Sequence, residues 1–231
     1  MHEIMNIAML TNLLGTALCK GGASKGLMME PKHLAFNHQE MNRTGVSTFL
    51  TEQAGRENEL RGFQGALQSN YAMGIMTAFN RIGTIYSGAY EGVLVQIVRN
   101  EWGYTGWITT DLINGAEYQN CRDVIFGGGS DVLSNHSTFA ETSLGTMSDN
   151  TKTIQKDTSF QEKMKAGLKY YLYTTARSNA MNGITSDTET VYVKTWWQNT
   201  ILGVEIGLGI LTTVFGILYV LQLWKKKKEQ A

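Results

Sequence analysis

Asp111 closes the stretch Trp107-Ile108-Thr109-Thr110-Asp111, a short apolar and β-branched run that follows a turn and ends in a carboxylate. Such runs suit strands buried on both faces of a parallel sheet, and active sites gather at the C-terminal ends of those strands. A carboxylate there stands where the sheet does its chemistry. Equally, it can cap a following helix, since Asp is a favoured N-cap. Spacing alone leaves the two readings level. Lys32-His33, at the end of another expected strand, reads either as part of the same site or as a satisfied surface pair. No Cys/His cluster has zinc spacing, and neither a P-loop nor a nucleophile-elbow serine occurs, so no metal and no cofactor is expected. Cys19 and Cys121 are too far apart for a disulfide framework and read as two buried thiols.

The elements that must position these residues are legible as a βα repeat. Leu27-Met28-Met29-Glu30-Pro31 reads as a strand leading to Lys32, and Gly74-Ile75-Met76-Thr77-Ala78-Phe79 as a second. The run ending at Asp111 is a third, and Asp131-Val132-Leu133 a short fourth. Between them, a helix is expected from about Thr51, with Leu60, Phe63 and Leu67 on one face. Another carries Tyr90, Val93, Leu94, Ile97, Val98 and Trp102, the cleanest helical stripe in the chain, stopped by Gly103. A helix ending near Phe126 precedes Gly127-Gly128-Gly129. Residues 135–160 read as a polar loop, and Phe160 to Ala180 as a helix with Leu168, Tyr171 and Leu172 at core spacing. Four βα units are half of an eight-stranded barrel, and half a barrel leaves open sheet edges.

The two ends differ from this middle. From Ile201 to Trp224 the chain is apolar apart from Glu205, Gln222 and a few threonines. Trp196 and Trp197 precede it, and Trp224 with Lys225–Lys228 follows. Length, interfacial aromatics and basic flank describe one transmembrane helix, and the positive-inside tendency puts the lysines in the cytoplasm and residues 1–195 outside. Residues 1–200 hold 16 basic and 18 acidic side chains, a net of −2, which excludes a nucleic-acid-binding face of clustered Lys and Arg. The N-terminus lacks a basic region and mixes Asn6, Thr11 and Asn12 into its apolar run, so it is a poor signal peptide. Ile4, Ile7, Ala8, Leu13 and Leu14 suit an amphipathic helix instead. An outward-facing domain without an export signal predicts further chain before Met1.

Several motifs in order carry a resemblance. The stretch from Lys32 to Arg43, Lys-His-Leu-Ala-Phe-Asn-His-Gln-Glu-Met-Asn-Arg, is similar to the Lys-His-Phe…Asn-x-Gln-Glu-x-Asn-Arg segment of glycoside hydrolase family 3, the β-glucosidase type. Thr51-Glu52-Gln53-Ala54 and Arg61-Gly62-Phe63 match the family's next helix, and Met76 to Gly83 resembles its sixth strand. Arg99 to Asp111 resembles the helix and strand that deliver its nucleophile. The similarity spans about residues 25 to 183, including a late helix at Thr175 to Gly183 that is like that of membrane-bound members.

The resemblance implies that Asp111 is the nucleophile of a retaining hydrolase and that Lys32, His33 and Arg43 hydrogen-bond the sugar's hydroxyls. Phe79 stands in the substrate site where the family usually has Tyr, so a hydroxyl beside the nucleophile is lost, and Leu112 stands where the family commonly has Trp. His38 does not recreate the Asp-Ser-His loop of the N-acetylglucosaminidase branch. Glu40, Glu117 and Asp123 are available carboxylates, but none matches the family's acid/base, which comes from a separate α/β domain. The expectation is an α/β fold, the second half of a (β/α)8 TIM-type barrel, followed by a C-terminal transmembrane helix. Residues 1–23 form a remnant helix, 24–140 the half barrel, 141–195 a linker and membrane-proximal helix, and 196–231 the span and basic tail. The expected function is hydrolysis of O-glycosyl bonds of a β-linked glucoside or oligosaccharide at the cell membrane, with the missing barrel half and α/β domain as required partners and lipid as surroundings. The alternative is a non-catalytic, membrane-tethered carbohydrate-binding protein or a truncated gene product.

Overall fold

The computed structural model describes residues 2–113, 118–132, 156–189 and 191–229. Two compact units divide the chain at Gly183 and Ile184.

The first unit is built on two parallel strands, Gly74–Met76 (β2) and Trp107–Thr109 (β5), paired in register with Ile75 opposite Ile108. The ladder continues toward the site: the Thr77 amide donates to Thr109 O at 2.9 Å, and the Asp111 amide to Thr77 O at 3.1 Å. Residues 27–31, expected as a strand, run beside β2 without forming a regular ladder. Met29 O accepts from both Met73 and Gly74, Pro31 O accepts from Met76, and a bridge joins Leu34 to Thr77. Pro31 has no amide to donate, which is one reason the pairing is irregular. The strand expected at 131–133 is likewise absent at 131 and 132, where the Ser130 and Asp131 amides share the single acceptor Ile108 O. Leu133 lies outside the described residues. A second small sheet orders Ser47–Thr48 (β1), Arg81–Ile82 (β3) and Ile85–Tyr86 (β4), with β1 parallel to β3 and β3 antiparallel to β4.

The helices fall where the patterns place them. The run Glu52–Ala54, Gly55–Leu60, Arg61–Gln68 (α2) starts at Thr51, whose hydroxyl accepts from the Ala54 amide. Gly92–Glu101 (α3) buries Val93, Leu94, Ile97 and Val98, and its end is wound with a bond five residues back, from the Trp102 amide to Ile97 O. Together with Leu34, Leu60, Leu67, Ile75 and Ile108 these side chains make the core. Each buried aliphatic side chain contributes about 1.5–3 kcal/mol. Cys121–Phe126 (α4) is capped by Asn120, whose side chain accepts from the Arg122 amide.

Two helices bury a different face from the one the sequence suggests. His2–Ala23 (α1) packs on α2 through small and polar residues, with Gly65 donating to Asn12 Oδ1 at 2.8 Å. Ala8 and Cys19 are buried, while Ile7, Leu10, Leu13, Leu14 and Leu18 are exposed. Thr158–Arg177 (α5) buries Phe160, Gly167 and Thr174, and leaves Leu168 and Leu172 more than half exposed. Gly167 lies flat on the Ser130 backbone, and Thr174 Oγ1 donates to Met73 O at 3.2 Å. The contact is set by backbone approach, not by the leucine stripe. Trp107 meets Tyr171 at 5.4 Å, and Arg177 donates to Asn70 O. Helix α5 thus lies across the N-terminal ends of β2 and β5, opposite Asp111.

The second unit holds Trp196–Glu229 (α6), a 34-residue helix with mean hydropathy 2.1 in its most apolar window, long and apolar enough to cross a membrane.

Candidate active site

Three stretches end together on the side of the sheet away from α5. Leu34 is clamped to the second of them: its amide donates to Met76 O at 2.8 Å and its carbonyl accepts from the Ala78 amide at 2.8 Å and from Ser87 Oγ at 3.0 Å. The residue before it, His33, therefore projects from a fixed backbone. The Lys32–His33 and Leu34–Ala35 peptide bonds are both cis. Asp111 is fixed from the other direction by its amide on Thr77 O and by its own Oδ1, which accepts from the Leu112 amide at 2.7 Å. Capping is left to Asn120, so Asp111 is not the cap of α4.

His33 Nε2 lies 3.1 Å from Asp111 Oδ2, the two side chains being 26% and 15% exposed. Burial pushes the imidazole below its usual range; Asp111 opposes that, and the charges of Lys32 and Arg43 reinforce it. His33 is therefore neutral at pH 7, and the nitrogen facing the carboxylate carries the proton. Lys32 is exposed beside it. The Arg43 guanidinium sits 4.5 Å over the Phe79 ring and pairs with Glu40 at 3.0 Å. The five residues singled out from the sequence, Lys32, His33, Arg43, Phe79 and Asp111, thus share one end of the sheet, with Arg43 and Lys32 both within electrostatic reach of His33.

Sequence reasoning missed the supports of this site. The Tyr118 hydroxyl donates to Phe79 O at 3.0 Å and accepts from the Gly45 amide at 2.8 Å, pinning the loop that carries Arg43 to the strand end that carries Phe79. Arg81 donates to Gly45 O at 2.6 Å and stacks over Tyr118 at 5.3 Å. Tyr86 is buried edge-on to Tyr118, 5.7 Å between centroids. Burial raises its phenol well above the ordinary range. Arg81 lies in a quoted motif, but nothing local marks Tyr118. His38, set aside in the sequence, pairs with Glu59 at 2.8 Å. Of the three carboxylates considered as acid/base, Glu40 is bound to Arg43, Asp123 sits in the first turn of α4, and Glu117 lies outside the described residues. Among the described residues no group of three or more His, Cys, Asp or Glu could hold a metal.

The arrangement is one carboxylate held by a neutral imidazole beside two cations at the C-terminal ends of parallel strands. No family model matches the chain. By sequence it is 34% identical over 102 residues to a probable β-glucosidase J of Aspergillus fumigatus, covering 44% of this chain and 12% of the relative. By fold it is similar to β-glucosidase 3B of Thermotoga neapolitana, solved with glucose, at a TM-score of 0.64 and 24% identity, covering 71% of this chain and 23% of that one. A Bifidobacterium adolescentis GH3 β-glucosidase superposes at a TM-score of 0.61 and 22% identity, covering 76% of this chain and 24% of that one. The chain is thus similar in sequence to part of a probable β-glucosidase and in fold to part of solved β-glucosidases. The chain spans about one eighth of the length of the curated relatives it matches.

Proposed function

We propose that this chain carries the nucleophile side of the active site of a retaining β-glucosidase-type hydrolase, with a β-linked glucoside as substrate. The observation that carries the reading is the His33–Asp111 contact at 3.1 Å, at the strand ends where Lys32 and Arg43 also converge. In this reading Asp111 attacks the anomeric carbon, the bond to the leaving oxygen breaks, and an acid residue protonates that oxygen. Water then hydrolyses the glycosyl ester, giving up its proton to the same residue, now acting as base. Lys32, His33 and Arg43 hold ring hydroxyls whose hydrogen bonds strengthen as oxocarbenium charge develops. Phe79 supports Arg43 from below without offering a hydroxyl.

The acid/base carboxyl, which must stand about 5–5.5 Å from the nucleophile, is supplied from outside this chain. Residues 24–140 are the second half of a (β/α)8 barrel, and residues 1–23 a remnant helix of it. The missing half and an α/β domain complete the site. The exposed row Ile7, Leu10, Leu14 and Leu18 on α1 supports this, because a helix side so apolar needs a covering neighbour. Trp196–Glu229 anchors the protein as a single span, with Lys225–Lys228 cytoplasmic and the site outside. Hydrolysis of an aryl β-glucoside tests the reading. The chain alone is expected to turn over little, since acid catalysis contributes about 10²–10⁴-fold. A version extended upstream should be active, and Asp111→Asn should silence it. Activity that survives Asp111→Asn would overturn the assignment. Sugar binding without any turnover by the extended version would favour a carbohydrate-binding protein, the direction in which Phe79 and Leu112 depart from the family.

A further inference from the structure

Helix α5 exposes leucines between lysines on the side turned away from the sheet. Its inward side carries Phe160, Gly167 and Thr174, with Tyr170 under the Arg99 guanidinium and Tyr171 against Trp107. Its outward face presents Lys165, Leu168, Lys169 and Leu172, with Met164 and Tyr173 at the flanks, and Leu168 and Leu172 are 54% and 57% exposed. Four basic residues, Lys163, Lys165, Lys169 and Arg177, stand against one acidic residue, Glu162. Exposed leucines interleaved with lysines, on a helix held rigidly by backbone contacts, have the pattern of a segment that lies in a bilayer interface. Protein interfaces, by contrast, are depleted in lysine.

We infer that the outward face of α5 rests on an anionic lipid surface. The inference relies on the reading of Trp196–Glu229 as a membrane span and extends it to the first unit. Twelve residues, 184 to 195, join the first unit to that helix. At full stretch they reach about 40 Å. The lysines then meet lipid phosphates while Leu168 and Leu172 enter the headgroup boundary. Because α5 crosses the strands at their N-terminal ends, this contact turns the Asp111 end away from the lipid and toward dissolved or polymeric sugar.

The test uses the full chain with an environment-sensitive fluorophore on Leu168→Cys, or on Val220→Cys within the span; native Cys19 and Cys121 are buried. The chain is reconstituted in vesicles of phosphatidylcholine alone, or of equal parts phosphatidylcholine and phosphatidylglycerol. The expected result is a Leu168→Cys label shifted to the blue and quenched by lipid spin labels in the anionic vesicles only. That response should be lost in high salt and in the Lys165→Glu/Lys169→Glu variant, while the Val220→Cys label stays in lipid throughout. A label at 220 in lipid with 168 in water under every condition overturns the inference and leaves the span intact. Shielding at 168 that ignores lipid charge and the lysine reversal means a protein covers this face, and overturns it too. A label at 220 that stays in water refutes the span itself and the inference with it.

Discussion

His33 and Asp111 are positioned by opposite means, the imidazole by a clamped neighbour and the carboxylate by its own backbone. Their contact makes a pH prediction. Burial lowers the His33 pKa below its unfolded value, so between the two values the unfolded chain binds the extra proton. The contribution to stability is present above about pH 6.5 and is lost as pH falls through the folded pKa. The melting temperature of the chain should therefore drop on acidification from pH 7 toward pH 5, and His33→Gln should flatten that slope. An equal slope in the variant would show that the acid sensitivity lies elsewhere. At this scale the sequence was informative where a motif carried the residue, as for Lys32, His33, Arg43 and Asp111. It was silent on Tyr118, whose bond to Gly45 joins residues 73 apart and leaves no local trace.

Among the elements, α3 is tied to the rest by Arg99 in its last turn. The guanidinium donates to Tyr104 O at 2.9 Å, Gly106 O at 2.5 Å and Ser130 Oγ at 3.3 Å, and lies 3.6 Å over the Tyr170 ring of α5. Burial lowers its pKa to about 10, which still leaves it charged at neutral pH. A lysine cannot reproduce that planar fork. Arg99→Lys should cost about 1–3 kcal/mol, the desolvation of carbonyls left without a donor, read as a lower midpoint in urea in mild detergent. No loss of stability would mean the fork is redundant. Periodicity found α2, α3 and α5 because each has an apolar stripe, and β5 stood out as an apolar and β-branched run. It misjudged which face α5 buries, since a glycine lying against backbone leaves no mark in a hydrophobic pattern. It also expected regular strands at 27–31 and 131–133; at 27–31 and at 131–132 shared acceptors replace a ladder, and Leu133 lies outside the described residues.

At the scale of the whole molecule, the α6 segment was plain from composition, whereas of the four strands expected in the βα repeat only β2 and β5 pair as a regular ladder. The packing of residues 158–183 into the first unit was not plain, because it depends on contacts such as Thr174 with Met73, 101 residues apart. The proposed role of Asp111, nucleophile of a sugar-cleaving site completed by groups outside this chain, is open to a direct test. The most direct measurement is mass spectrometry after exposure to a 2-deoxy-2-fluoro-β-glucoside, which traps the glycosyl ester on an attacking carboxylate. It should be run on this chain and on a version extended upstream. Label is expected on Asp111 in the extended version, with little or none on the chain alone. Label on a different carboxylate, or none in the extended version although it binds the sugar, would contradict that role.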